Sequence, residues 1–231
     1  VTQRMANNQN VITAEERATA RKLEILNHLS SDSRTYVLSA APGSGKSYLL
    51  LDLAKSLVGQ GKRVIIAANT NNQATNLLMT WMKEYKGAKG FIRLASKSAP
   101  VPADAPRDRW FTSYKDIPDG PMAVVSTSSY LSIVCANESE HNFNYLFMEE
   151  AYQVTWAKFM QISNMASRTL FIGDRGQIPP VVPVESAKWD TARIPPHWSA
   201  PETLEHLSNA SGNFMAGRFR AGNLEKIGRA H

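Results

Sequence analysis

The chain has 231 residues, of which 43% are hydrophobic, so a sizeable core is possible and a disordered protein is excluded. The formal net charge of +6 fits an anionic partner such as nucleic acid, although a basic soluble protein without that partner fits it equally well. With one cysteine, Cys135, and no apolar run of membrane-span length, we expect a cytoplasmic protein without disulfides, a cysteine zinc site or membrane contact.

The first predicted element is a helix that follows a polar segment. Residues 1–11 are expected to be flexible, and Thr13 followed by Glu16 forms the capping-box pattern of a helix start. The helix is expected to end at about Leu29. Its apolar periodicity predicts five inward residues: Ala18, Ala20, Leu23, Ile25 and Leu26.

A glycine-rich loop between a predicted strand and a predicted helix is the most informative stretch. Residues 35–38 form an apolar run, residues 48–54 have a helical pattern, and residues 39–47 read Ser-Ala-Ala-Pro-Gly-Ser-Gly-Lys-Ser. Glycines in this context let backbone N–H groups converge on phosphate oxygens. The predicted phosphate cradle consists of Pro42, Gly43, Ser44, Gly45, Lys46 and Ser47. A chance glycine-rich turn is the alternative.

Two side chains at the end of this loop would interact with the nucleotide. Lys46 would supply a positive charge for the β- and γ-phosphates, and the Ser47 hydroxyl can hold Mg²⁺. The loop departs from the usual pattern at its first glycine, which is Ala40 here. ATP and Mg²⁺ are therefore the expected cofactors.

The next stretch combines a buried-type strand with a polar loop. Residues 63–68 predict the strand, and residues 69–78 enter a helix expected to end near Lys86. Open α/β sheets bind ligands at the carboxyl ends of their strands, so this loop is a candidate contact. A plain helix cap with solvated asparagines is the alternative.

A proline-rich insertion at about residues 96–121 follows a short predicted strand at residues 90–94. Its basic and aromatic residues could contact nucleic acid by stacking and by phosphate contacts. A surface loop held by Trp110 explains the same composition.

Three further strands are predicted at residues 122–127, 145–148 and 169–172, and the first leads into a helix that starts at Ser128. The second delivers Glu149 and Glu150. Adjacent carboxylates after an apolar strand are the expected partners of a phosphate loop. Glu149 is predicted to bind Mg²⁺, and Glu150 is predicted to polarise the attacking water. A solvated pair of glutamates is the alternative.

Together these motifs resemble superfamily 1 helicases, especially the Upf1-like and related bacterial members. Residues 149–153 resemble their Asp-Glu-Ala-x-Gln box, residues 173–182 their Gly-Asp-x-x-Gln-Leu-Pro-Pro motif, and residues 64–78 their motif Ia. Residues 12–16 resemble the start of the adenine-contacting Q motif, and residues 218–220 the later Tyr/Phe-Arg motif.

The resemblance implies a RecA-like α/β domain over residues 12–222, with a mostly parallel sheet and helices on both faces. Residues 223–231 would then be a truncated linker toward a second motor domain, and the chain an excised fragment. Besides Ala40, two positions depart from the family: Glu149 replaces an aspartate and Glu16 a glutamine.

The resemblance also implies roles for further residues. Gln177 would couple the γ-phosphate to nucleic-acid binding, with Asp174 in the same network. Arg220 would act as an arginine finger. The implied contacts to the nucleic-acid backbone are Thr70, Asn71 and Thr127.

The predicted function is that of the first motor domain of a superfamily 1 helicase or nucleic-acid-dependent ATPase. Its partner would be single-stranded nucleic acid, with DNA as the first expectation, and the isolated domain would be weakly active. The second possibility is a P-loop ATPase of signalling or assembly. Such a protein would need neither motif Ia nor the Gly-Asp-x-x-Gln motif. A non-hydrolysing nucleotide-binding module is the third possibility, because Glu149 replaces the usual aspartate.

Overall fold

Strands and helices alternate along most of the chain, which is the pattern that builds parallel sheets. The computed structural model describes residues 13–31, 34–182, 185–210 and 219–224. The strands are β1 (Thr35–Ala40), β2 (Arg63–Ala68), β3 (Phe91–Leu94), β4 (Trp110–Phe111), β5 (Met122–Thr127), β6 (Phe143–Glu149), β7 (Ala166–Gly173) and β8 (Phe219–Leu224). The helices are α1 (Ala14–Ser30), α2 (Lys46–Gly59), α3 (Asn71–Glu84), α4 (Ser128–Asn137), α5 (Trp156–Met160) and α6 (Ala200–Ala210). None of these described helices combines the length and apolar character needed to cross a membrane.

The strands form one sheet in the order β4-β3-β5-β2-β6-β7-β1-β8, and every described pair is parallel. One face packs against α1, α2 and α3, where Leu50 and Trp81 are central to the buried cluster. The other face packs against α4, α5 and α6, with Leu131 and Phe159 in its cluster. The predicted α/β class, with a parallel sheet covered on both faces, is confirmed.

Helix α1 begins where the capping box predicted. The Thr13 hydroxyl accepts from the Glu16 N–H, and the Glu16 carboxylate accepts from the Thr13 N–H at 2.7 Å. That backbone donor lowers the pKa of Glu16. The predicted inward face was wrong at Ala20 and Leu23, which are exposed, because the helix turns Ile25 and Leu29 toward the sheet.

The segment over residues 96–121 is tied to the edge of the sheet. Its strand β4 pairs with β3, and Arg109 donates to the Ala88 carbonyl at 3.1 Å. The Tyr130 hydroxyl donates to the Thr112 carbonyl at 2.9 Å. The predicted flexible residues 1–11, and residues 225–231 of the predicted linker, lie outside the described part of the chain.

Candidate active site

The candidate site lies where neighbouring parallel strands end at one edge of the sheet. In the pairing of β1 with β7, Ser39 lies opposite Gly173, and in the pairing of β6 with β7, Glu149 lies opposite Ile172. Strands β2 and β5 end together on the other side of β6. The parallel register therefore brings the phosphate loop, the two glutamates and the predicted nucleic-acid contacts to the same edge.

The loop after β1 has the backbone that a phosphate cradle requires. Gly43 and Gly45 have φ values of 72° and 86°, in the left-handed region that favours glycine. Gly45 is the N-cap of α2, and no side chain caps this helix start, so its first N–H groups can serve a ligand. The Ser44 hydroxyl is buried, and its oxygen has no hydrogen-bond partner among the described residues. Pro42 and Gly43 are exposed at the tip of the loop.

The four side chains predicted to handle phosphate, metal and water lie together. The Lys46 ammonium lies 3.3 Å from the Ala40 carbonyl oxygen and 3.6 Å from Glu150 Oε1. The Ser47 hydroxyl donates to Glu149 Oε1 at 2.9 Å. The end of the phosphate loop and the end of β6 are therefore in direct contact.

Burial dominates the electrostatics of Glu149. Only 6% of this residue is exposed, and burial raises the pKa of Glu149 to about 7. The Ser47 hydrogen bond and Lys46 oppose this rise in the pKa, whereas the negative charge of Glu150 adds to it. Oε2 of Glu149 and Oε2 of Glu150 are both buried, and neither has a hydrogen-bond partner among the described residues.

These buried oxygens fit a bound Mg²⁺. A cation would stabilise the ionised carboxylate of Glu149, and its ligands would be oxygens, which Mg²⁺ prefers. The described residues contain no group of three or more His, Cys, Asp or Glu side chains that could hold a metal alone. A magnesium ion here would depend on Ser47, Glu149, water and the phosphates, as expected for a nucleotide site.

Glu150 has an unusual backbone conformation. Its φ of 49° and ψ of 47° make it the single non-glycine residue with positive φ in the described part of the chain. Such strain costs about 1–3 kcal/mol and is typical of functional positions. The 3₁₀ turn Ala151–Gln153 follows directly, with the Gln153 N–H donating to the Glu150 carbonyl at 2.9 Å. The sharp turn directs the Glu150 side chain toward Lys46.

This turn packs on Gly173 at the end of β7. A Cβ added to Gly173 would lie 2.9 Å from the Ala151 nitrogen and 2.9 Å from Cδ2 of Tyr152. Both contacts are closer than real Cβ atoms make. The backbone conformation of Gly173 does not require glycine, because its φ is not positive. Glycine is needed here because any side chain would clash with the turn that packs on it.

Gly173→Ala is therefore expected to displace the turn that carries Glu150 and to lower the free energy of unfolding by about 1–3 kcal/mol. Urea unfolding followed by circular dichroism measures this. The matched control is Gly176→Ala, because a Cβ there would lie 3.4 Å from Asp174 Oδ1 and fit. Equal unfolding midpoints for the two variants would contradict the packing argument.

Three amide side chains link the strand ends around Glu150. Gln153 Nε2 donates to Gln177 Oε1 at 2.8 Å, and Asn69 Nδ2 lies 3.4 Å from both Gln153 Oε1 and the Glu150 carbonyl. These residues follow β6, β7 and β2, so the amide chain joins the predicted nucleic-acid loop to the predicted catalytic turn. The sequence placed Gln153 in a motif but did not predict a role for it or for Asn69. Their positions just after strand ends could have indicated that they belong to the site.

The predicted nucleic-acid residues have structural partners of their own. The Thr70 hydroxyl accepts from the Gln73 N–H at 3.2 Å, and the Thr127 hydroxyl accepts from the Tyr130 N–H at 3.2 Å. Both threonines therefore cap helices, and for Thr70 this matches the plain-cap alternative. Asn71 accepts a hydrogen bond from Arg93. Contact of these three residues with nucleic acid stays a prediction.

Asp174 makes a contact within its own turn, and the structure describes Arg220 through its backbone. Asp174 Oδ1 accepts from the Gly176 N–H at 2.9 Å and closes a local turn. Arg220 lies in β8, where its backbone pairs with Tyr36, four positions before Ala40. That spacing corresponds to about 13 Å along the strand. The strand does not bring Arg220 to the phosphate loop, and its finger role stays a prediction. Arg218 lies outside the described residues.

Comparison with known proteins gives a family and a fold. Residues 23–183 match the family model described as an AAA domain. The DNA replication ATP-dependent helicase/nuclease DNA2 of Saccharomyces cerevisiae is 25% identical over 154 residues, covering 64% of this chain. The chain spans 10% of the length of that relative.

Two solved structures share the fold at low sequence identity. The UvsW helicase from bacteriophage T4 has a TM-score of 0.54 and 12% identity, over 90% of this chain and 58% of its own. A nuclease-deletion mutant of the Type ISP restriction-modification enzyme LlaGI, in complex with a DNA substrate mimic, has a TM-score of 0.51 and 18% identity. It covers 68% of this chain and 14% of its own. The RecA-like fold predicted from the sequence is confirmed.

Proposed function

Because the chain belongs to the AAA domain family, we propose that it binds and hydrolyses ATP as the first motor domain of a superfamily 1 helicase or nucleic-acid-dependent ATPase. The observation that carries the proposal is the contact of Lys46 and Ser47 with Glu150 and Glu149. The similarity to an ATP-dependent helicase/nuclease supports the same reading. In this proposal, residues 12–222 form one of two motor domains.

The phosphate loop would hold the nucleotide. Backbone N–H groups at the start of α2 would donate to the phosphate oxygens, and the buried Ser44 hydroxyl would gain the partner it lacks. Lys46 is held near Ala40 and Glu150, and phosphate oxygens would compete for its ammonium group. Ser47 and Glu149 would hold Mg²⁺, which neutralises negative charge on the phosphates when it is bound.

Glu150 is the proposed base for hydrolysis. Its backbone strain fixes the carboxylate beside the phosphate loop, 3.6 Å from Lys46. A carboxylate there can accept the proton of a water that attacks the γ-phosphate. Glu149 would keep its position through the Ser47 hydrogen bond, so the two adjacent carboxylates would have different tasks.

Gln177 is the proposed coupling residue. Through Gln153 and Asn69 it is connected to the start of α3, where the cap residue Thr70 and the first helical residue Asn71 would contact the nucleic-acid backbone. Movement of that loop on binding a strand would shift the amide chain, and with it the turn that carries Glu150.

We expect single-stranded oligo(dT) to stimulate ATP turnover by this chain, and Gln177→Ala to return the stimulated rate to the unstimulated one. The amide chain would end at Gln153 in the variant, so strand binding would no longer reach the catalytic turn. Steady-state phosphate release with and without oligo(dT) measures this, and oligo(U) provides the RNA comparison. The matched control is Gln161→Ala, since Gln161 is exposed and follows α5.

The outcomes separate the proposed function from its rivals. Oligo(dT) affinity should fall steeply with salt, because phosphate contacts dominate such binding. Equal stimulation of Gln177→Ala and the unchanged protein would remove the coupling role. Turnover without stimulation by either nucleic acid would favour an ATPase of signalling or assembly. Tight ATP binding with no turnover at all, not even the slow turnover expected of a single motor domain, would favour a non-hydrolysing module.

A further inference from the structure

Arg93 is an arginine buried in the sheet without a carboxylate partner. It lies in β3 and is fully buried, and no described acidic group lies within 4.0 Å of its guanidinium. Its partners are the carbonyls of Leu94 and, at 3.2 Å, Val125, together with the face of Trp110, 5.5 Å away. Burial lowers the pKa of Arg93 to about 10, so the side chain is still charged at neutral pH. Burying an unneutralised charge is costly, which favours a function for it.

The remaining partner of Arg93 is Asn71, the first residue of α3. Arg93 donates to Asn71 Oδ1 at 2.7 Å. A guanidinium has donors only, so this hydrogen bond identifies the amide oxygen as the atom that faces Arg93. The NH₂ group of Asn71 is then the part left for other contacts, and the residue is partly exposed. Asn71 therefore presents donors to the surface, and donors suit the oxygens of a phosphate backbone.

We propose that Arg93 is a positioning residue for nucleic-acid binding, because it holds the Asn71 amide with its NH₂ group toward the phosphate backbone of a bound strand. Its unneutralised charge also strengthens the positive potential at the start of α3. The inference rests on the proposed function, in which Thr70 and Asn71 at the start of α3 contact nucleic acid.

A purely structural role would not need the charge. A methionine has a similar apolar stem, could fill the same space beside Trp110, and carries no desolvation cost. Ser126 already donates to the Leu94 carbonyl at 2.7 Å, so that carbonyl would keep a partner. We therefore expect Arg93→Met to fold with no loss of stability.

Arg63 offers a matched control at the opposite end of the sheet. It begins β2, donates to the carbonyls of Pro118 at 3.0 Å and Gly120 at 2.7 Å, and lies 5.1 Å from the Phe143 ring. Its partners are thus of the same kinds as those of Arg93, except that no candidate ligand residue is among them. Arg63→Met removes a comparable arginine far from the carboxyl ends of the strands, where the site lies.

The test is fluorescence anisotropy of labelled oligo(dT) at constant salt, with MgATP affinity measured alongside. We expect Arg93→Met to weaken oligo(dT) binding about tenfold, the effect of losing one charge-assisted hydrogen bond at the interface. Arg63→Met should bind like the unchanged protein, and MgATP affinity should be equal in both variants. Arg93→Lys keeps a donor for Asn71 but lacks the planar fork that also reaches Val125 and Trp110, so its affinity should lie between those of Arg93→Met and the unchanged protein.

A double-mutant cycle gives the sharper readout. If Arg93 acts through Asn71, the variant that combines Arg93→Met with Asn71→Ala should bind no more weakly than Arg93→Met alone. Additive losses, unchanged affinity of Arg93→Met, no restoration by Arg93→Lys, or failure of Arg93→Met to fold would each overturn the inference. If the unchanged protein binds neither oligo(dT) nor oligo(U), the nucleic-acid part of the proposed function fails and this inference fails with it.

Discussion

Lys46→Ala is expected to weaken MgATP binding by roughly a hundredfold, or about 3 kcal/mol, because the loop would lose its charge-assisted hydrogen bonds to phosphate. Lys46 is the single lysine of the loop and only 8% exposed, so no neighbouring ammonium in the loop can replace it. The alanine would also leave Glu150 without its cation, 3.6 Å away in the unchanged protein. Two negative groups, Glu150 and the phosphates, would then face each other. Titration calorimetry measures the affinity.

Lys55→Ala is the control for this change. Lys55 lies on the same helix, α2, but its ammonium is placed over the Tyr85 ring at 4.3 Å and the residue is exposed. Its loss should leave MgATP affinity unchanged. If Lys46→Ala bound MgATP as tightly as Lys55→Ala, the assignment of residues 39–47 as a phosphate loop would be wrong.

Glu150→Gln is expected to keep MgATP binding and to slow hydrolysis by about 10²–10⁴-fold, the usual contribution of a general base. Glutamine has nearly the same shape, so the turn at Ala151–Gln153 should persist. Its amide cannot accept a proton from the attacking water. Binding should be equal or tighter, because Lys46 would no longer be paired with a carboxylate.

Single-turnover hydrolysis at saturating ATP separates the chemical step from binding. Glu84→Gln is the matched control, since Glu84 ends α3 and is exposed, with its carboxylate 3.5 Å from the Tyr48 hydroxyl. Its hydrolysis rate should equal that of the unchanged protein. Comparable rates for Glu150→Gln and Glu84→Gln would exclude Glu150 as the base.

The parts of the fold that follow local rules were predictable from the sequence. The apolar strands and the capping box at Thr13 depend on residues close together in the chain. The phosphate loop was equally local, since its glycines, Lys46 and Ser47 are consecutive. The acidic pair could be associated with the loop because parallel strands end at one edge of the sheet.

Other features depend on contacts between distant segments. The strain at Glu150 and the need for glycine at Gly173 arise where two strand ends pack together. In the sequence, Arg93 looks like an ordinary strand residue. Its contacts with Asn71 in α3 and Trp110 in β4 become visible only in the folded chain. Leu23 was predicted to be buried but is exposed, for a related reason. Periodicity predicts an apolar face on a helix, but the packing of the helix against the sheet determines which residues of that face are buried.

The strand order has a consequence for how the chain acquires its structure. In the described sheet, β1 comes first in sequence but pairs only with β7 and β8, which begin at Ala166 and Phe219. During synthesis the segment that ends in the phosphate loop therefore emerges long before its partner strands exist. Contacts of such large sequence separation slow folding and leave an apolar strand exposed to aggregation in the meantime. The phosphate loop, whose sequence signature is entirely local, thus becomes part of a finished sheet only after β7 and β8 have been made.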